Sequence, residues 1–234
     1  MLMHPTEAYK NFFDLVIENS INENEILSVT PLFFLLHAGE GVVNGPENAK
    51  AVTNLRYIVD VFAPKVIPLG FKVRIGHGLV LHNPSENMQK LLSKIKDLEI
   101  PVEKCPVSNE LFKGIKNPEK DAEAYIDLIE NDHFIVLGGD DPSMQNSIAI
   151  TDELMYLWRH GGEHRFNLQM MIKLSYNSVR ASAVTLIEKE TLVQTLNHAW
   201  MEYLSGMAIA KAKVTQLMKN WNRREIALLL HEKN

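Results

Sequence analysis

Apolar residues in this chain fall into short unbroken runs, separated by longer stretches in which they recur every three or four positions. The runs read as strands covered on both faces, and the periodic stretches as amphipathic helices. Strands are predicted over 29–37 (VTPLFFLLH), 72–78 (KVRIGHG), 100–106 (IPVEKCP) and 133–139 (HFIVLGG). A helix precedes each: 7–20 with Thr6 as N-cap, 47–62, 85–98 and 119–131. Such alternation is the mark of βα units and a parallel sheet. Beyond residue 145 the pattern is helical throughout, over 150–160, 167–182, a long stretch from Glu188 to about Trp221, and 222–233. With no repeat and no Pro/Gly/Ser linker, the expectation is a single α/β domain over 1–234, made of βα units to 145 and a helical part from 146.

Composition narrows the function classes. The chain has 234 residues, 46% of them hydrophobic, which is ample for a core. A net charge of -5 without a Lys/Arg block argues against a nucleic-acid partner. No apolar run approaches the roughly 20 residues of a membrane span, so no membrane partner is expected. The first residues lack a basic start followed by an apolar stretch, so no signal peptide is read there. A single cysteine, Cys105, fits a reducing compartment, and a cytoplasmic location is the expectation.

Chemistry collects at the carboxyl ends of the four predicted strands, where α/β folds build their sites. These ends carry His37-Ala38-Gly39-Glu40, Gly76-His77-Gly78, Cys105-Pro106 and Asp140-Asp141-Pro142. Imidazole and carboxylate suit zinc and similar divalent ions, and an acid and a histidine beside them can move protons. The combination points to metal-assisted hydrolysis. Each piece also has a bland reading: a strand-end histidine is more often part of the packing, and Asp-Asp-Pro is a common turn. It is their conjunction, in order, that carries weight.

The segments FLLHAGEG, RIGHG, IPVEKCPVSN and LGGDDPSM resemble, in order and spacing, the second half of the adenosine deaminase family. IPVEKCPVSNELFK and LSYNSVRAS are most similar to the adenosine-deaminase-related growth factor branch, and the likeness covers roughly residues 8 to 190. That resemblance implies a zinc-dependent (β/α)8 TIM-type barrel that hydrolyses adenosine to inosine. This chain would supply its strands five to eight and additional C-terminal helices. By the same resemblance His37 is a zinc ligand, Asp140 a zinc-bound carboxylate, Glu40 the acid that protonates purine N1, and His77 the group that orients the attacking water. Gly39 would let the backbone approach the base, and Asp141 would hydrogen-bond purine N7. Glu40 must then hold a proton with substrate bound, which a dry pocket favours.

The sequence departs from the family at one essential point. The other two zinc ligands of the family come from an H-x-H pair, and none of the nine histidines here lies two residues from another. His37 and Asp140 supply two ligands where zinc takes about four. Three readings follow: part of a deaminase barrel completed by an amino-terminal half, a non-catalytic half-barrel that pairs as a homodimer, or a deaminase of AMP or adenine. His160 and His164 in RHGGEHRF are separated by a Gly-Gly turn and are read as an exposed connection. Cys105 is read as a packed strand-end residue, and 47–70 as a lid or contact surface.

Overall fold

The computed structural model describes residues 14–15, 33–40, 47–82, 85–113, 115–140, 150–162 and 164–206. By contacts the chain divides into two compact units, 1–177 and 178–234. In the first unit four strands form one parallel sheet in sequential order: β1 (Phe33–Ala38), β2 (Lys72–His77), β3 (Val102–Lys104) and β4 (Ile135–Leu137). Helices connect them. α1 (Glu47–Tyr57) runs through a π-helical turn (Ile58–Phe62) and a further helical turn (Ala63–Val66) into a short 3-10 turn (Ile67–Leu69). α2 (Glu86–Asp97), α3 (Pro106–Lys113) and α4 (Pro118–Glu130) follow, then α5 (Ile150–Gly161) and α6 (Leu168–Arg180).

The four predicted strands are present: β2, β3 and β4 are shorter than predicted, while β1 runs one residue further, to Ala38, and its predicted start over 29–32 lies outside the described residues. α3 and a short 3-10 turn (Leu79–His82) are elements of this unit that the sequence pattern did not suggest, since 100–106 reads as strand through Pro106. Proline tolerates the first helical turn, where its missing N–H is not needed, and Pro106 opens α3 in that way. α4 begins similarly, with Pro118 at its start and the Asn117 side chain accepting from Lys120 N at 2.9 Å.

Register assigns the faces. Phe34 pairs with Val73 and Leu36 with Ile75, while Ile75 pairs with Val102 and Val102 with Ile135. These side chains share one face and pack on Leu55, Phe62, Leu92, Ile95, Ile126 and Ile129 from the helices. The opposite face carries Phe33, Leu35, His37, Arg74 and Glu103, with Arg74 over the Phe33 ring and 3.4 Å from Glu103. Leu35 is 42% exposed there, so β1 is covered on one face and not on both. An inward layer in a barrel is filled by side chains from alternate strands all around it, and four strands provide only part of that filling.

Residues 47–69 are no lid. Leu55, Ile58, Val59, Phe62, Ala63 and Val66 are all buried in the core, so this segment is the helical cover of β1 and β2. The π turn contributes Ile58, Val59 and Phe62 to that buried cover. Of the predicted helix over 7–20 only residues 14–15 are described, and they are helical; the helix over 222–233 and the extension from 207 to Trp221 lie outside the described residues.

In the second unit, α7 (Leu186–Gly206) begins with a capping box: Glu188 Oε2 accepts from Thr185 N at 2.8 Å, and Glu188 N donates to Thr185 Oγ1 at 3.3 Å. No helix among the described residues is long and apolar enough to cross a membrane.

Candidate active site at the strand ends

Each candidate side chain sits where the chain leaves the sheet. His37 is the fifth residue of β1, and its ring passes over Gly76, its register partner on β2. A Cβ at Gly76 would stand 2.8 Å from His37 Cδ2, so only glycine leaves room for the imidazole. Gly39 then turns the chain at φ +70°, with Val80 Cγ2 2.9 Å from where a Cβ would be. This is reason enough for a glycine here, whatever approaches the backbone from outside. Glu40 follows, half-buried.

His77 closes β2 in a left-handed conformation, φ 63°, and Gly78 continues it at φ 52°. Asp140, beyond β4, is also left-handed at φ 50°. Left-handed backbone at residues other than glycine is uncommon, and such strain gathers at functional sites. Glu99 and Asp132 share the conformation but follow helices α2 and α4, where it is an ordinary way to end a helix.

The strand ends bring these groups together. One ligating atom each from His37, Glu40 and His77 lie within 4.8 Å of one another. The two imidazoles meet edge to face with centroids 4.9 Å apart. His77 Nε2 lies 3.7 Å from Glu40 Oε1 and 4.0 Å from Asp140 Oδ2. Asp141, the remaining candidate, lies outside the described residues.

The tautomer of His77 follows from its other side. Asn109 Nδ2 donates to Tyr125 Oη at 2.8 Å, which leaves Asn109 Oδ1 to face His77 Nδ1 at 3.2 Å. An amide oxygen only accepts, so Nδ1 carries the proton and Nε2 presents a lone pair. Burial holds the His77 pKa below its ordinary value, against the raising effect of Glu40 and Asp140. A neutral imidazole with Nε2 bare is therefore set against two carboxylates. Such a convergence of acceptors calls for a cation or a shared proton between them.

The donor set, imidazole and carboxylate, fits zinc in kind. It fits in number only in part, because the group brought together among the described residues is His37, Glu40 and His77, without Asp140, and the sequence holds no H-x-H pair to complete a shell of about four.

The structure adds partners that the strand-end reasoning missed, all on α3. Ser108 Oγ donates to Asp140 Oδ2. Asn109 orients His77, and Lys113 Nζ sits 3.0 Å from Glu40 Oε1. Their signal was the segment PVSNELFK directly after a strand end, where helical spacing turns Asn109 and Lys113 to one side. Glu153 of α5 supports α3 from below: its Oε2 accepts from Val107 N at 2.9 Å. Burial pushes the Glu153 pKa up to about 7, and its Oε1 has no hydrogen-bond partner among the described residues. Cys105 is buried and its thiol is driven up by burial, so it packs and does not attack. His160 lies 3.7 Å from Glu119 and stacks near Tyr156 at the end of α5, and His164 is exposed.

The sequence profile of the adenosine deaminase family matches residues 67–199. The adenosine deaminase of Aedes albopictus is 27% identical over 189 residues, covering 80% of this chain and 32% of that protein. Human adenosine deaminase 2 is 27% identical over 135 residues, covering 58% of this chain and 25% of that protein. Thus the chain spans about a third or less of the length of these relatives. Among solved structures, the N6-methyl-AMP deaminase from Arabidopsis thaliana aligns over 70% of this chain and 40% of its own, at TM-score 0.51 and 23% identity. An Arabidopsis ADAL protein complexed with GMP aligns over the same shares at TM-score 0.51 and 21% identity. A profile match over more than half the chain, on a parallel sheet whose strand ends carry these side chains, places this protein in the adenosine deaminase family.

Proposed function

We propose that this chain carries the water-orienting and purine-protonating half of a zinc-dependent adenosine deaminase site, with the H-x-H half supplied by a stretch of polypeptide outside this sequence. The supporting observation is the convergence of His37, Glu40 and His77 within 4.8 Å, with Asp140 4.0 Å from His77. His37 and Asp140 would hold the zinc. Bound there, the ion would supply Lewis-acid activation of water near neutral pH.

The chain's own residues divide the remaining work. Nε2 of His77 accepts the proton of the attacking water, while Asn109 fixes the ring from the Nδ1 side. Glu40 delivers a proton to purine N1, which stabilises the electron density arriving in the ring as C6 becomes tetrahedral. Its partner within the chain is Lys113, 3.0 Å away. Gly39 keeps the backbone low beside the base, and Asp141 hydrogen-bonds N7. A nucleotide substrate such as AMP is the second reading, favoured by two aligned structures of ADAL proteins in complex with GMP and with IMP.

The test is the ultraviolet shift from adenosine to inosine, and from AMP to IMP, together with zinc content. Both are measured on the purified chain alone and co-expressed with the upstream part of a family member that carries H-x-H. Expected are zinc and turnover in the co-expressed complex, with Glu40→Gln lowering kcat by about 10² to 10⁴-fold. Equal turnover by wild type and Glu40→Gln, or none in either preparation, would overturn the reading.

A further inference from the structure

Behind β2, on the helix-facing side of the sheet, lies a second polar cluster that the strand-end chemistry does not use. Lys104 closes β3 at a register position shared with Leu137, one step beyond Val102 and Ile135, and it is fully buried. A lysine in an apolar layer needs partners for its ammonium. Nζ donates to Gly78 O at 2.8 Å, lies 3.3 Å from His82 Nε2 and stands over the Tyr125 ring at 5.4 Å. His82 Nδ1 is 3.0 Å from Asp121 Oδ1, and Tyr156 Oη donates to Asp121 Oδ2 at 3.1 Å.

Donor and acceptor roles are settled by the ends of this chain of contacts. The Asp121 carboxylate only accepts, so His82 carries its proton on Nδ1 and offers Nε2 to Lys104. Burial, and after it the Lys104 charge, pulls the His82 pKa down to about 4, which keeps that imidazole neutral. Burial lowers the Lys104 pKa to about 7, against the raising effect of Asp121, and its amine is linked to that carboxylate through a neutral histidine.

The carbonyl that Lys104 holds belongs to the left-handed pair His77-Gly78. Gly78 N donates to Ala38 O at 3.0 Å, and Gly78 O accepts from Leu81 N at 3.0 Å as well as from Lys104. Lys104 fills the second lone pair of that carbonyl from inside the core.

We propose that Lys104 is a positioning residue for His77: linked to Asp121 through His82, it clamps the Gly78 carbonyl and holds the left-handed turn that aims His77 Nε2 at Glu40 and Asp140. The link to chemistry rests on the reading of His77 as the group that takes the water proton. The clamp itself rests on geometry alone.

Amide hydrogen exchange on the full chain tests the clamp without any turnover. In Lys104→Met, exchange across residues 77–82 should rise tenfold or more, while α2 and α6 keep their wild-type protection. A folded variant with unchanged exchange at 77–82 overturns the proposal, and so does a uniform rise across the sheet and helices, which a merely structural lysine would give. Should Lys104→Met not fold, Lys104→Gln keeps a donor one atom shorter and is measured in the same way; failure of both to fold makes Lys104 a core residue and overturns the proposal. In the zinc-loaded, co-expressed deaminase, Lys104→Met should lower kcat tenfold or more with KM unchanged. Local loss of protection with full turnover would retain the clamp and overturn the catalytic role given to His77.

Discussion

Two clusters built from the same residue types lie on either side of the β2 terminus, and they are arranged in opposite ways. Inside are Lys104, His82 and Asp121; outside are Lys113, His37, His77, Glu40 and Asp140. In the inner cluster donors and acceptors alternate, from Gly78 O through Lys104, His82 and Asp121 to Tyr156. In the outer one, a bare imidazole nitrogen faces two carboxylates at 3.7 and 4.0 Å, whose own donors, Lys113 and Ser108, leave that nitrogen unmatched. A buried network whose groups are satisfied rigidifies a fold, whereas unmatched acceptors are tolerated where a ligand or a proton completes them. The difference teaches which histidines to assign to stability and which to chemistry, although sequence treats them alike.

Breaking the inner cluster should cost most. Asp121→Ala leaves Lys104 and His82 without their counter-charge in the core, and a loss of about 3 to 5 kcal/mol in denaturant unfolding is expected. A loss below ~1 kcal/mol would erase the contrast between the two clusters.

Next comes a pH effect with opposite signs in two groups. The folded-state pKa of Glu153 is raised to about 7 from a usual 4.5, so its contribution is full below 4.5 and is lost as pH rises to about 7. His82 is lowered to about 4 from 6.5, so its contribution is full above 6.5 and is lost as pH falls to about 4. Glu153→Gln should therefore gain stability relative to wild type as pH rises from 4.5 to 7, on the order of 2 kcal/mol by melts across that range. The acid-side loss due to His82 should persist in the variant. A wild-type minus variant difference that is flat with pH would remove Glu153 from the list of buried acids.

The smallest effect belongs to the outer cluster. His37 is exposed and has no part in the core, so His37→Ala should change unfolding stability by no more than about 0.5 kcal/mol. Its effect should fall on zinc uptake by the co-expressed complex. A large loss of stability would move His37 from the site to the scaffold.

Much of this was legible in the linear chain. Unbroken apolar runs ending in His37, His77 and Asp140 locate the strands and their chemical ends, because a parallel strand is buried along its length and functional only where it stops. α3 was not legible: Pro106 after Cys105 looks like a break, and only the structure shows it as a first helical position. Lys113 and Asn109 remained hidden with it. The segment 47–70 looked long enough for a lid because length alone does not say whether Leu55, Phe62 and Val66 meet a sheet.

The sequence by itself determined the order of βα units, the residue types at their ends and the lack of an H-x-H pair. It did so because period and composition are local properties. Only the tertiary structure decided which polar groups are neighbours. Lys104 and Gly78 are 26 residues apart, and Glu40 and Lys113 meet only because the segments after β1 and β3 converge at the carboxyl end of the sheet. The pairing of charges across such distances depends on register and helix placement, which fix whether a histidine is completed within the fold or left to be completed by something else.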